Sequence, residues 1–112
     1  MICRIWHGWT TLDNANVYDS YLQDELFPRM KRELTERGYR GYHLLRAGKG
    51  GEVEFVTMLW FESLSSVKAF AGEDYATPLI SDKAKSLLSR YTAWVEHYEL
   101  SGSSHFGFEP TK

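Results

Sequence analysis

A chain of 112 residues supports one hydrophobic core, and so a single domain. Its net charge of -2 gives no broad pull toward nucleic acid or acidic membrane surfaces, and no apolar run approaches the ~20 residues of a membrane span. With 43% apolar and 25% charged residues it reads as a soluble globular protein, with an aromatic content, 15%, that is high for its size.

The opening residues MICRIWHGW lack the uninterrupted apolar run and small-residue cleavage site of a signal peptide. Residues 2–9 are short and β-rich, which predicts a strand. Asp13 or Asn14 then offers an N-cap for a helix running to about Arg37. Its apolar positions Val17, Tyr21, Leu22, Leu26, Phe27, Met30 and Leu34 recur at helical steps, as one buried face requires. Pro28 lies inside that pattern and removes a backbone donor, so a kink or break is expected there. Gly38 ends the helix. The acidic and basic residues interleaved along it read as a solvated face.

Residues 39–46 and 53–61 predict two strands joined by AGKGGE, a hairpin turn built on Lys49-Gly50-Gly51. The spacing of a phosphate loop is absent, and the turn leads into a strand. Ser63 caps a short helix from Leu64 to Ala71, with Leu64, Val67, Phe70 and Ala71 on its apolar face, and Gly72 stops it. Thr77-Pro78 and Ser81-Asp82 are both possible helix starts, the second being the better one for a helix over Lys83 to Ser89. Tyr91 to Leu100 predicts one last strand. The tail 101–112 is Gly/Ser-rich at first and then carries His105, Phe106 and Phe108, as a frayed end or a partner-contacting arm would.

The predicted order is β-α-β-β-α-β, the ferredoxin-like α+β plan with an antiparallel sheet, over residues 1–100. Helices cover one face of such a sheet. Yet in the third strand Val53, Phe55, Leu59 and Phe61 alternate with Val56, Met58 and Trp60, so both parities are apolar. A second cover is needed, and a homodimer through the bare sheet face supplies it.

Several segments resemble the antibiotic biosynthesis monooxygenase-like family of the dimeric α/β-barrel superfamily. They are the opening strand ending in Trp6-His7-Gly8, Gly38 before Tyr39-Arg40-Gly41-Tyr42, and Phe55-Val56 through Leu59-Trp60-Phe61-Glu62-Ser63. Phe70-Ala71-Gly72-Glu73-Asp74-Tyr75 and Val95-Glu96-His97-Tyr98-Glu99-Leu100 complete the set. The resemblance covers roughly residues 2–100. It implies a dimeric α/β barrel with a pocket between sheet and helices in each subunit. Characterised members oxidise quinol-like aromatics with oxygen and no metal or flavin, or bind and break down haem.

Trp60 matches the tryptophan that several members place in their pocket. Members that work on aromatics or haem often pair it with an asparagine, in haem degraders near the end of the first strand, and this chain has His7 in that vicinity. Haem degraders add an iron-binding histidine from the helical region after the tryptophan. This chain has no histidine between Trp60 and Tyr91, which counts against haem degradation unless His43 or His97 substitutes.

Cofactor-free oxygenation needs a base near neutrality and donors for the substrate anion. The expected catalytic residues are therefore His7, Trp60 and His97, with Trp60 stacking on the ring. Arg4, Phe27 and Tyr75 are the expected substrate-binding residues, Arg4 for an oxyanion and Tyr75 as a hydroxyl donor. No cofactor is expected, and no metal, because neither H-x-x-x-H, C-x-x-C nor clustered carboxylate spacing appears. Each of these residues also has a plain structural reading. His7 and His97 would serve as hydrogen-bonded core or interface residues, and Trp60 as a packing anchor. Cys3, the one cysteine, reads as a small buried apolar residue, and the chain as cytoplasmic. The reading is thus a small monooxygenase of electron-rich aromatics, with a non-catalytic binding dimer as the alternative.

Overall fold

The computed structural model describes residues 1–104, so the expected tail from residue 105 on, with His105, Phe106 and Phe108, lies outside the described residues. Five strands, β1 (Ile2–Thr11), β2 (Tyr39–Lys49), β3 (Glu52–Phe61), β4 (Leu88–Tyr91) and β5 (Glu96–Glu99), form one antiparallel sheet. The order is β2-β3-β1-β4, with β5 also paired to β1. The helices α1 (Leu12–Tyr21), α2 (Phe27–Leu34), α3 (Leu64–Ala71) and α4 (Asp82–Leu87) fill the connections. This is the ferredoxin-like plan read from the sequence.

The single last strand expected over Tyr91 to Leu100 is instead two. β4 pairs with β1 at Gly8 to Thr10, and β5 pairs with β1 at Ile2 to Ile5. Between them the chain leaves the ladder, and Val95 N–H donates to the Ala76 carbonyl at 2.7 Å. The fourth helix is also shorter than Lys83 to Ser89, because Leu88 already belongs to β4, but Ser81 caps it.

The first helix begins two or three residues earlier than Asp13 or Asn14 would set it. Thr11 is the N-cap, its hydroxyl accepting from Asn14 N–H at 3.2 Å. Near Pro28 the regular α-helix is interrupted, and helical backbone continues on either side. A π-helical turn at Leu22–Leu26 precedes it, in which Phe27 N–H reaches back to the Leu22 carbonyl. That wider turn puts Pro28 at the start of α2, where its missing N–H costs nothing. The extra residue also shifts the helix phase. Ala15 and Tyr18 are buried in α1, whereas Val17, placed on the buried face by the periodicity, is half exposed. Leu64, at the start of α3, is likewise exposed.

Gly38 ends the helical region with φ +102°, and a Cβ there would fall 2.0 Å from Ser66 Oγ. Gly50 and Gly51 turn the β2–β3 hairpin with φ of +54° and +93°, and both strands run up to them. Strand pairing fixes which side chains share a face. Ile2, Arg4, Trp6, Gly8 and Thr10 of β1 stand opposite Phe61, Leu59, Thr57, Phe55 and Val53 of β3. This face meets the helices, and Phe55, Phe61 and Thr10 on it, with Val67 of α3, are the largest fully enclosed side chains. Cys3, Ile5 and His7 oppose Trp60, Met58 and Val56 on the other face, which no helix among the described residues covers.

Candidate functional site

A cavity of about 580 Å³ lies between the sheet and the helices. Its floor is the helix-facing parity of β1 and β3, including Arg4, Trp6, Thr57 and Leu59. Phe27 of α2, Phe70 of α3 and the segment Pro78 to Ser81 before α4 wall it. The π-helical turn and α2 supply the rest of one side, so the Pro28 irregularity helps shape the opening. The lining is mostly apolar, as small-molecule sites are.

The buried polar feature is Arg4, only 4% exposed. Its Nη1 donates to the Tyr75 carbonyl at 2.5 Å and approaches His97 Nε2 at 3.1 Å, and its Nη2 donates to the Thr77 carbonyl at 3.4 Å. The Phe70 ring lies 5.4 Å from the guanidinium carbon. Burial lowers its pKa to about 10, so the side chain remains a cation at neutral pH. Among the described residues no carboxylate forms an ion pair with it. Tyr18 also lines the cavity, and burial, with Tyr21 nearby, pushes its phenol well above the ordinary value. It is held as a neutral hydroxyl.

His97 stands directly across the β1–β5 pair from Arg4. Because an arginine only donates, this contact assigns the lone pair to His97 Nε2 and the proton to Nδ1. Burial first, then the Arg4 charge, hold His97 below its usual range. The Tyr75 ring packs edge-on to it at 5.2 Å. Tyr75 thus meets Arg4 through its backbone, where its hydroxyl had been expected to act. Phe27 is a cavity wall, stacked on Tyr42 at 4.0 Å.

His7 and Trp60 are on the other face of the sheet. His7 Nδ1 lies 2.8 Å from Glu54 Oε2, and its ring stacks on Trp9. The Trp60 indole donates to His43 Nδ1 at 2.9 Å. The six expected residues therefore divide: Arg4, Phe27, Tyr75 and His97 gather at or beside the cavity, and His7 and Trp60 stand apart from it. The tryptophan that lines the cavity is Trp6, which was not among the expected site residues. Its parity with Arg4, two residues back, was the available signal. Its indole donates to the Thr92 carbonyl at 2.9 Å, which fixes the ring against the gap between β4 and β5.

Among the described residues no group of three His, Cys, Asp or Glu side chains is placed to hold a metal ion. No helix among them is long and apolar enough to cross a membrane.

The arrangement of an antiparallel sheet under helices, its last strand position shared by β4 and β5, with a cavity between, defines a ferredoxin-like α+β protein. Among solved structures the chain is similar to Rv0793 from Mycobacterium tuberculosis, at 17% identity over 93% of this chain and 98% of that one, with a TM-score of 0.57. This likeness shows the fold alone, a ferredoxin-like α+β arrangement. A looser likeness is to the haem degrader MhuD of the same organism, described with two haems in its active site. It has 19% identity over 94% of this chain and 100% of that one, with a TM-score of 0.47. No protein-family model and no curated protein matches the sequence.

Proposed function

We propose that the helix-side cavity binds a small electron-rich aromatic and that the chain is a cofactor-independent monooxygenase acting on it. The observation that carries this reading is a buried, unpaired guanidinium in the floor of an apolar cavity walled by Trp6, Phe27 and Phe70. A phenol or quinol bound there ionises more readily beside Arg4, and its anion is the species that passes electrons to oxygen. For an anthrone-like ring the balance closes on the substrate alone. One oxygen atom replaces two hydrogens at the methylene carbon as a carbonyl, and the other leaves with them as water. His97 is the proton acceptor once a substrate oxyanion draws Arg4 off its Nε2.

A second reading, binding without chemistry, is favoured by one observation. No histidine lines the cavity among the described residues, and the His97 lone pair is engaged by Arg4. Haem breakdown stands third, with His43 on the outer face and His97 behind Arg4. In either leading reading the chain is a homodimer. Ile5, Val56, Met58 and Trp60 are half-buried on the outer face, and Leu45 and Tyr98 are 51% and 52% exposed there, an apolar area that a second copy's sheet would cover.

Oxygen uptake by the metal-stripped protein, with anthrone- and hydroquinone-like substrates, tests the enzyme. Acceleration over the spontaneous rate, lost in Arg4→Met and retained in Trp60→Phe, is the expected result. No acceleration with substrates shown to occupy the cavity would leave the binding reading in place.

A further inference from the structure

We infer that the cavity selects an aromatic carboxylate, gripped by the Nε–Nη2 edge of Arg4. This assignment rests on the cavity being a ligand site and names the chemistry of its ligand.

A guanidinium has five N–H donors in a rigid fork. Nη1 spends both of its own, on the Tyr75 carbonyl and His97 Nε2. Nη2 spends one, at a long 3.4 Å, on the Thr77 carbonyl. The second Nη2 donor and the Nε donor have no partner among the described residues. Nε and Nη2 share one edge of the fork, the edge that meets a carboxylate with two parallel hydrogen bonds. Among the described side chains that are not exposed, the one fully enclosed polar atom without a partner is Tyr39 Oη. Arg4 Nε, which has no partner among the described residues, is therefore not fully enclosed, and Arg4 lines this cavity.

Charge points the same way. Among the described residues Arg4 has neutral hydrogen-bond partners only, two carbonyls and an imidazole, so none of them compensates its charge in a low-dielectric setting. Arg29 and Arg37 also line the cavity, against a single carboxylate, Glu33. An anion entering this space meets three cations and one like charge. The Phe70 and Trp6 rings beside Arg4 give the ligand's ring its apolar contact. A phenolate offers one oxygen to the two-donor edge, and a carboxylate offers two.

The test is calorimetric titration of the intact chain with 2-naphthoate, 2-naphthol and 2-naphthamide at neutral pH. 2-Naphthoate should bind at least tenfold more tightly than the isosteric amide and than the naphthol. Arg4→Met should abolish the preference, and Arg4→Lys, which keeps charge without the fork, should keep only part of it. Equal binding of naphthoate and naphthamide by the wild-type chain overturns the carboxylate site and leaves the cavity reading standing. A naphthol that binds as tightly as naphthoate reassigns the edge to a single oxyanion and also overturns it. Failure of all three to bind removes the cavity as a ligand site, and the assignment with it. The wild-type comparison decides the matter even if Arg4→Met does not fold.

Discussion

Arg4 Nη1 and His97 Nε2 lie 3.1 Å apart, across directly paired positions of neighbouring strands. The contact places a permanent donor against the atom at which a histidine would take up a proton. Burial and the Arg4 charge both disfavour imidazolium, so His97 titrates below its ordinary 6.5. The sign follows from proton counting. In the window below pH 6.5 the unfolded chain binds a proton that the folded chain refuses. The stability this site contributes is complete above that pH and is lost as pH falls through the lowered folded value. Arg4→Met removes the second cause and leaves burial in place. His97 followed by proton NMR should then titrate higher than in the wild type and still below 6.5. An unchanged midpoint would show that the Arg4 charge does not act on it.

Trp6 and Trp60 occupy opposite faces of the sheet, Trp6 across from Thr57 and Trp60 across from Cys3. A ligand in the cavity touches the first and is screened from the second by the sheet itself. Titration with an anthraquinone carboxylate, a quencher of indole emission, should therefore lose more of its quenching in Trp6→Phe than in Trp60→Phe. The reverse order would place the ligand on the outer face and return the site to His7 and Trp60.

That pair also shows where the sequence stopped being legible. The alternation in β3 separates Phe55 and Leu59 from Met58 and Trp60 without ambiguity, but it does not say which set meets the helices when both are apolar. Arg4 and Trp6 share a parity, as do His7 and the residues opposite Trp60. Choosing between the two sets needs the helix packing. Punctuation was easier to read, because Ser63, Ser81, Gly38, Gly72 and the Gly50-Gly51 turn act through local hydrogen bonds and backbone conformation alone. The split of the last strand was not legible, since it depends on Val95 bonding to Ala76, nineteen positions back in the chain. The π-helical turn before Pro28 escaped for a related reason. The proline announces a disturbance but not how the preceding turn absorbs it.

Gly38 carries the tightest backbone demand among the described glycines. At φ +102° a side chain is strained by itself, and a Cβ would also sit 2.6 Å from Ser66 Cβ. Gly38→Ala should cost on the order of 3 kcal/mol, combining the two effects. Urea denaturation measures it. Gly38→Ala in a Ser66→Gly background should recover the contact portion only, because the positive φ remains. Full recovery would mean that backbone strain contributes nothing.

Met58 lies between Ile5 of β1 and His43 of β2 on the uncovered face, near the middle of β3. If two copies meet through this face, Met58→Lys buries an ammonium with no partner at the contact, which weakens association at least tenfold. In the separated chain the same lysine reaches water from a half-buried site, so the fold should persist. Sedimentation velocity should then show the wild type at twice the chain mass and Met58→Lys shifted toward a single copy, with unchanged far-UV circular dichroism. A control on the helix-covered side, Val17→Lys, alters an exposed residue away from the contact and should leave the dimer intact. A wild type that sediments as one copy, or a Met58→Lys that remains paired, would remove this face as the subunit contact. The apolar residues around Met58 and Trp60 would then need another cover.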